Sequence, residues 1–539
     1  TGYSIGDNAT RSVAYTMSGS SIINFNAQAT GTNSFFAIGK SSGTTAYTNT
    51  LNVTGAANLN VGTTAARSGE LQIANNADSN GTLNVTGGAV TVGTGTTDNK
   101  IYFFKAGSGA GYTANLTQSG GTVTANGIQF GGTAGTYNGT SSANLTISGG
   151  VLYVGLQGIT RGSGASALPV AIKLQGGAIG ASDNWSSSLD MKLGTTSGGP
   201  VFQAATSGAV SKNITLSGVL SDDDSVNGKL TKTGAGTLTL SGSNTFTGAT
   251  TINAGATLDL NGQTISEPLT IAGLGVEGQG AIINSSTTVA ANVTGVLTQV
   301  ANSFTVGGAG DINLDRVSGT GTFYLTKNGA GTLTLGGTQN NASLGVNVNA
   351  GTLVLAVQSA VGLHAFGNNA TVNTGATMRL AGSGNDQIYN NAFIYLDGGN
   401  LDMGGKNEAF AGPLSTSAHI VGSIFNNTAD TTSIVSIGDN VTIATGSSGQ
   451  FRGTFVDNTN SSTGKLVLRK IGGGTYSITG ANTYTGTASF TNALAQTFTG
   501  STVIEGGTLQ LGYGATVGTV VGDVAIAAGA TLAVNSIYD

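Results

Sequence analysis

Three consecutive aspartates, Asp222-Asp223-Asp224, form the densest carboxylate run in the chain. Clustered carboxylates are what glycan cleavage or a bound divalent cation requires. These three stand beside Ser and Gly just ahead of a long repeat, so the expectation is a solvated loop. The histidines, His364 and His419, neighbour no nucleophile motif, which leaves a Ser-His-Asp arrangement without support. Gly307-Gly-Ala-Gly-Asp-Ile312 approaches a calcium-binding nonapeptide, but its aspartate is displaced by one residue and the run does not recur. Asn52, Asn84, Asn115 and Asn144 each open an Asn-x-Thr triplet, the acceptor pattern for glycans, which strands rich in Asn and Thr also produce by composition. Lys232, Lys327 and Lys470 each precede a glycine corner, at Gly234-Ala-Gly236, Gly329-Ala-Gly331 and Gly472-Gly-Gly474. They read either as a basic stripe for an acidic glycan or as solvated charges whose stems cover the corner, and the wide spacing of the copies favours the second. No catalytic, cofactor-binding or metal-ligating residue is assigned, and the expectation is a protein that is not an enzyme.

Whatever these residues do, short strands must position them. Leu51-Asn-Val-Thr-Gly55, Leu83-Asn-Val-Thr-Gly87, Leu116-Thr-Gln-Ser-Gly120 and Leu145-Thr-Ile-Ser-Gly149 recur at about 30-residue spacing. A second alternating run follows each, at Leu59-Asn-Val61, Val90-Thr-Val92, Val123-Thr-Ala125 and Leu152-Tyr-Val154. A third precedes them, as in Leu71-Gln-Ile73, Ile101-Tyr-Phe103 and Ile128-Gln-Phe130. Period-two alternation of apolar and polar residues marks strands with one buried face, and the Gly pairs supply the turns. A three-strand coil of this length cannot bury its apolar face alone; stacking coils at ~4.8 Å makes one continuous core. Between Gln175 and Ser221, just past Pro169, the spacing loosens around Trp185 and Pro200, and this reads as a longer loop on the same stack.

Composition narrows the setting. Of 539 residues 90 are glycine, and only 8% are charged, against roughly a quarter in an average soluble protein. The net charge of −5, with no basic cluster beyond pairs such as Arg469-Lys470, argues against a nucleic-acid partner. No run approaches the ~18 to 20 apolar residues of a spanning helix, so the chain is not expected to be membrane-embedded. Cysteine is absent, which removes disulfide and thiolate chemistry and suits a chain exported unfolded. The sequence opens at Thr1 without an initiator Met or leader, as a processed piece would.

A longer repeat begins at Lys229-Leu-Thr-Lys-Thr-Gly-Ala-Gly-Thr-Leu-Thr-Leu240, continues through Asn244-Thr-Phe-Thr-Gly248 and closes at Leu258-Asp-Leu260. A second copy reads Tyr324-Leu-Thr-Lys-Asn-Gly-Ala-Gly-Thr-Leu-Thr-Leu335 and closes at Val348-Asn-Ala-Gly-Thr-Leu-Val-Leu355, without the Asn-Thr-Phe-Thr-Gly element. The third runs from Lys465 through Asn482-Thr-Tyr-Thr-Gly486 and reaches Ile504-Glu-Gly-Gly-Thr-Leu-Gln-Leu511 after an insertion expected to be a loop. These copies resemble the autotransporter-associated β-strand repeat, also called the passenger-associated transport repeat. The resemblance implies a right-handed parallel β-helix and the exported part of a bacterial surface protein. The membrane barrel or sorting signal that often ends such proteins is not visible before Asp539.

The expected fold is therefore all-β, a right-handed parallel β-solenoid: short three-strand coils over 1–160, less regular coils over 161–227 and long repeats over 228–539. Its expected role is structural, as part of an extracellular fibre, sheath or filament on a bacterial cell surface. The alternative is an adhesin or passenger stalk that binds glycans or cells, and a polysaccharide-active enzyme stands further off. Expected partners are other copies of the chain, end to end or side by side, and surface glycans or neighbouring cells, with no cofactor.

Overall fold

The computed structural model of the chain describes residues 2–7, 11–25, 34–40, 47–62, 69–75, 78–93, 99–224, 226–360, 362–411, 414–415, 422–438, 449–491, 495–514 and 516–535. They form two compact units, Thr1–Thr270 and Ile271–Asp539.

In the first unit, alternating sequence becomes three files of parallel strands. Ser34–Lys40, Gly69–Ile73 and Lys100–Phe103 stack in one file. Val13–Met17, Thr48–Val53 and Asn80–Val85 make the second. Ile22–Phe25, Asn58–Val61 and Ala89–Val92 make the third. Thr113–Phe130 then bends through all three files, pairing in turn with Asn80–Val85, Ala89–Val92 and Lys100–Phe103. All these pairs are parallel because the chain returns to each file in the same direction, one coil later. The stack is the parallel β-helix expected from the repeats.

Register follows from burial, since a slip by one residue would expose a whole face. Leu51, Leu83, Leu116 and Leu145 lie directly over one another, all fully buried. On the opposite face Asn84 Nδ2 donates to Asn52 Oδ1 at 2.9 Å, and Asn144 Nδ2 to Asn115 Oδ1 at 2.8 Å. The Asn-x-Thr triplets are thus rungs of amide ladders. Within 161–227 the same files continue: Ala143–Ile147 pairs with Val170–Leu174, and Trp185, itself buried, stands over Ile214.

The second unit repeats the plan. Ala291–Val293, Ile312–Leu314, Thr332–Leu335, Thr352–Leu355 and Thr377–Leu380 form one parallel file. Phe323–Lys327, Leu344–Val348, Ala370–Asn373 and Ile394–Asp397 form another. The insertion of the third long repeat is not a loop but an antiparallel hairpin, Ala488–Thr491 with Thr497–Gly500, and Phe490 faces Phe498 across it. The Arg469 guanidinium stands 4.6 Å from the centre of the Phe490 ring. No helix among the described residues is long and apolar enough to cross a membrane.

Glycine sets how closely corners approach. Gly329 and Gly375 have φ of +76° and +80°, so an added methyl strains both backbones alike. A Cβ on Gly329 would lie 2.2 Å from Gly308 O in the neighbouring coil, whereas one on Gly375 would meet nothing within 4 Å. Gly375→Ala is therefore expected to cost about 1–2 kcal/mol, the left-handed strain alone. Gly329→Ala should cost about 1–3 kcal/mol more, because it forces two coils apart. Urea unfolding of the two variants checks this, and equal costs would show that coil spacing is not set at the corner.

Candidate functional site

The lysines before the glycine corners are not where solvent would put them. Lys232, Lys327 and Lys470 are 0%, 3% and 1% exposed. Each occupies an inward rung that an apolar residue fills one coil before and one coil after: Phe202 and Ile252 around Lys232, Val306 and Val348 around Lys327, Ile437 and Ile504 around Lys470. Their stems extend the core, and their ammonium groups meet the inner side of the corner. Lys232 Nζ donates to Thr233 O and Gly234 O at 2.6 and 3.0 Å. Lys327 Nζ donates to Asn328 O, Gly329 O and Ala350 O at 2.9, 2.7 and 3.1 Å. Lys470 Nζ donates to Ile471 O, Gly472 O and Gly506 O at 2.7, 2.9 and 3.1 Å.

This overturns both the basic stripe and the solvated charge. A corner leaves carbonyls without ladder partners, and a buried acceptor needs a donor. In the second file of the first unit Gln118 does the same work without charge, as its Nε2 donates to Gly121 O and Val151 O at 3.2 and 3.0 Å. Burial drives the lysine pKa values down, to about 7 at Lys232 and about 8 at Lys327 and Lys470. The carbonyl dipoles act in the opposite sense, since they favour the charged form.

Of the aspartate run, only Asp224 is exposed in a turn as a solvated loop requires; Asp222 ends a strand and Asp223 is buried. Asp222 Oδ1 accepts the Gly228 and Thr247 amides at 2.7 and 3.0 Å, and its Oδ2 accepts the Thr247 hydroxyl at 2.8 Å. Asp457 repeats this at the third copy, taking the Leu466 and Thr485 amides, each at 2.9 Å, and the Thr485 hydroxyl at 2.6 Å. Each aspartate holds the second threonine of an Asn-Thr-aromatic-Thr-Gly element, whose aromatic residue, Phe246 or Tyr484, is buried. Burial pulls both carboxyls up, but the threonine hydrogen bonds outweigh it and hold them below the usual carboxylate value. Asp223 and Asp224 pair with Lys173, both at 2.9 Å, and Asp224 also with Lys192 at 3.2 Å. Thus each carboxylate of the run is partnered, Asp223 and Asp224 sharing Lys173.

Asp311, in the glycine-rich run, accepts the Thr332 amide of the next coil at 2.7 Å. His364 is buried with Nε2 3.5 Å from Asp386 Oδ2 and its ring edge-on to Tyr389. His419 lies outside the described residues. Sequence reasoning missed the group beside His364. Glu408 is fully enclosed and accepts the Gln387, Ile388 and Ala409 amides at 2.8, 3.1 and 3.0 Å. Burial, then the nearby Asp386 charge, pushes its carboxyl up to about 8 against the pull of those amides. Gln387 and Ile388 lie about 20 residues earlier, in the preceding coil, and no short motif announces them. Among the described residues no three His, Asp or Glu side chains are grouped to hold a metal ion.

Residues 230–260, 325–355, 468–493 and 490–511 match the family model of the Passenger-associated-transport-repeat. The first three matches each contain one corner lysine, and the fourth closes the coil beyond the hairpin. No curated protein and no solved structure matches the chain.

The buried groups give the second unit a characteristic pH response. Glu408 keeps its proton to about pH 8 when folded but loses it near ~4.3 when unfolded, so its contribution is complete at low pH and lost as pH rises to about 8. Lys327 and Lys470 release their protons near pH 8 when folded but near ~10.4 when unfolded, so stability recovers between those values. The urea midpoint of this unit is expected to pass through a minimum near pH 8. Glu408→Gln should flatten the falling limb, and Lys327→Met should flatten the rising limb and cost about 1–3 kcal/mol for the stranded carbonyls. A midpoint indifferent to pH from 5 to 10 would show that the carbonyl and amide partners cancel the effect of burial.

Proposed function

Starting from an autotransporter-associated repeat protein, we propose that this chain is the passenger stalk of a secreted or cell-surface protein, a stacked scaffold that carries contact surfaces away from the cell. The observation that supports the reading most is where the polar groups go. Corner lysines are taken up by the carbonyls of their corners, and motif aspartates and ladder asparagines by hydrogen bonds from coil to coil. Such a protein works through the surface that its coils display, with surface glycans or neighbouring cells as the partners in this proposal. Absence of cysteine fits passage through an export route as an unfolded chain.

A fibre subunit is the second reading, and the in-register parallel stacking of coils, as in the column Leu51, Leu83, Leu116 and Leu145, supports it, because the same stacking joins one copy to the next.

Protease treatment of intact cells distinguishes export from retention. Release of fragments of this chain while cytoplasmic markers stay intact is the expected result, and full protection in intact cells that digest after lysis would overturn the surface reading. Sedimentation of the purified chain across a concentration series then separates the two roles. A single slow species throughout fits a stalk, and growth into polymers fits a fibre.

A further inference from the structure

In the unit Ile271–Asp539 a cavity of about 190 Å³ lies between the turn 316–323 of one coil and the turn 339–343 of the next. Its floor is apolar, formed by the buried Val317 and Phe323. Gly319 keeps that floor open, because a Cβ there would stand 2.7 Å from the Phe323 ring and 2.9 Å from Gln299 Oε1. The rim is polar: Arg316, Gln339 and Ser343 are exposed.

One side chain in this wall lacks a partner. The Arg316 guanidinium makes no hydrogen bond or ion pair with any described residue, although neighbouring coils pair Arg379 with Asp402 and Lys327 with corner carbonyls. Its sequence neighbour Asp315 turns toward the Gly336 corner, outside the cavity. Asn341 backs the wall, more than nine-tenths buried, and donates through Nδ2 to Ala365 O at 3.1 Å. The wall thus offers a cation for an anion, amide and hydroxyl groups from the exposed Gln339 and Ser343 for ligand hydroxyls, and an apolar floor.

We propose that this cavity binds one acidic sugar ring, a hexuronic acid or similar carboxylated pyranose. The carboxylate lies on Arg316, ring hydroxyls meet the Gln339 amide and the Ser343 hydroxyl, and the C–H face of the ring rests on Phe323 and Val317. The cavity is smaller than the ~300–1,000 Å³ of pockets that enclose drug-sized ligands, so a single ring enters and the rest of a chain stays in solvent. This deepens the glycan-contact part of the stalk reading by naming the ligand class. It is tested on the purified chain, so failure here leaves export untouched, and failure of surface release leaves the cavity untouched.

The test is calorimetric titration of the full chain with sodium glucuronate, glucose and sodium acetate. Saturable glucuronate binding is expected, with glucose and acetate each about tenfold weaker or worse, since each lacks one of the two interactions. Arg316→Gln, at an exposed position, should weaken glucuronate about tenfold or more with an unchanged circular dichroism spectrum. Ala342→Leu, on the exposed rim, should block binding without altering charge. Acetate binding as tightly as glucuronate would reduce the cavity to a plain anion site and overturn the proposal. Glucuronate binding that survives both substitutions would place the sugar elsewhere and overturn it equally.

Discussion

Everything in this molecule rests on the parallel, in-register stacking of one coil on the next. A coil buries no face by itself and satisfies few of its own backbone groups, so each rung takes both its hydrogen bonds and its packing from the same position one coil away. This forces side chains into columns of like kind. Leu51, Leu83, Leu116 and Leu145 form one such column inside, and Asn52 and Asn84 begin another outside. The weak points of such a stack are its corners, where the chain leaves the ladder and carbonyls turn inward. Glycine lets the corners form at the required spacing, and a donor from the core must then satisfy the carbonyls.

Lysine is an unexpected donor, because burying an ammonium is expensive unless its hydrogen bonds are met. The long apolar stem reconciles the two demands. It replaces one rung of Phe, Val or Ile in the column and delivers three N–H groups to a place no backbone donor reaches. Gln118 shows that a neutral amide also serves, since it meets two carbonyls, as many as Lys232 does. A charge at this position ties the fold to protonation state, and the enclosed Glu408 does the same with opposite sign.

Much of the fold was legible because stacking writes itself as repetition. The period-two runs in Leu83-Asn-Val85 and Leu145-Thr-Ile147 gave both the strands and their inward faces, and both faces are as the alternation required. The same alternation also placed Lys232 on the face of Leu230, since the two residues are separated by one outward threonine. That signal was overridden by the general rule that lysines stay in solvent, a rule that yields when a carbonyl cluster waits at the stem's end. The role of Asp222 was hidden for another reason. Its partner Thr247 lies 25 residues on, a whole coil away, and the motif that needs it is legible only when Asp457 and Thr485 are seen to repeat the pair. Contacts between coils have no sequence spacing short enough to form a motif, which is why the group around His364, Asp386 and Glu408 also escaped notice.

The same logic separates structural polar groups from available ones. In a stack that consumes donors and acceptors between coils, a carboxylate or ammonium is presumed to be structural until its partners have been counted. Asp222, Asp457 and the corner lysines fail as candidate sites on that count, however suggestive their spacing. The exposed Arg316 side chain survives it, because it stands where the strand ladder is interrupted and no described residue of the next coil pairs with it. In a solenoid, then, recognition is to be sought where the repeat is broken and polar groups remain unpaired, and the regular faces are read as the frame that holds those breaks in place.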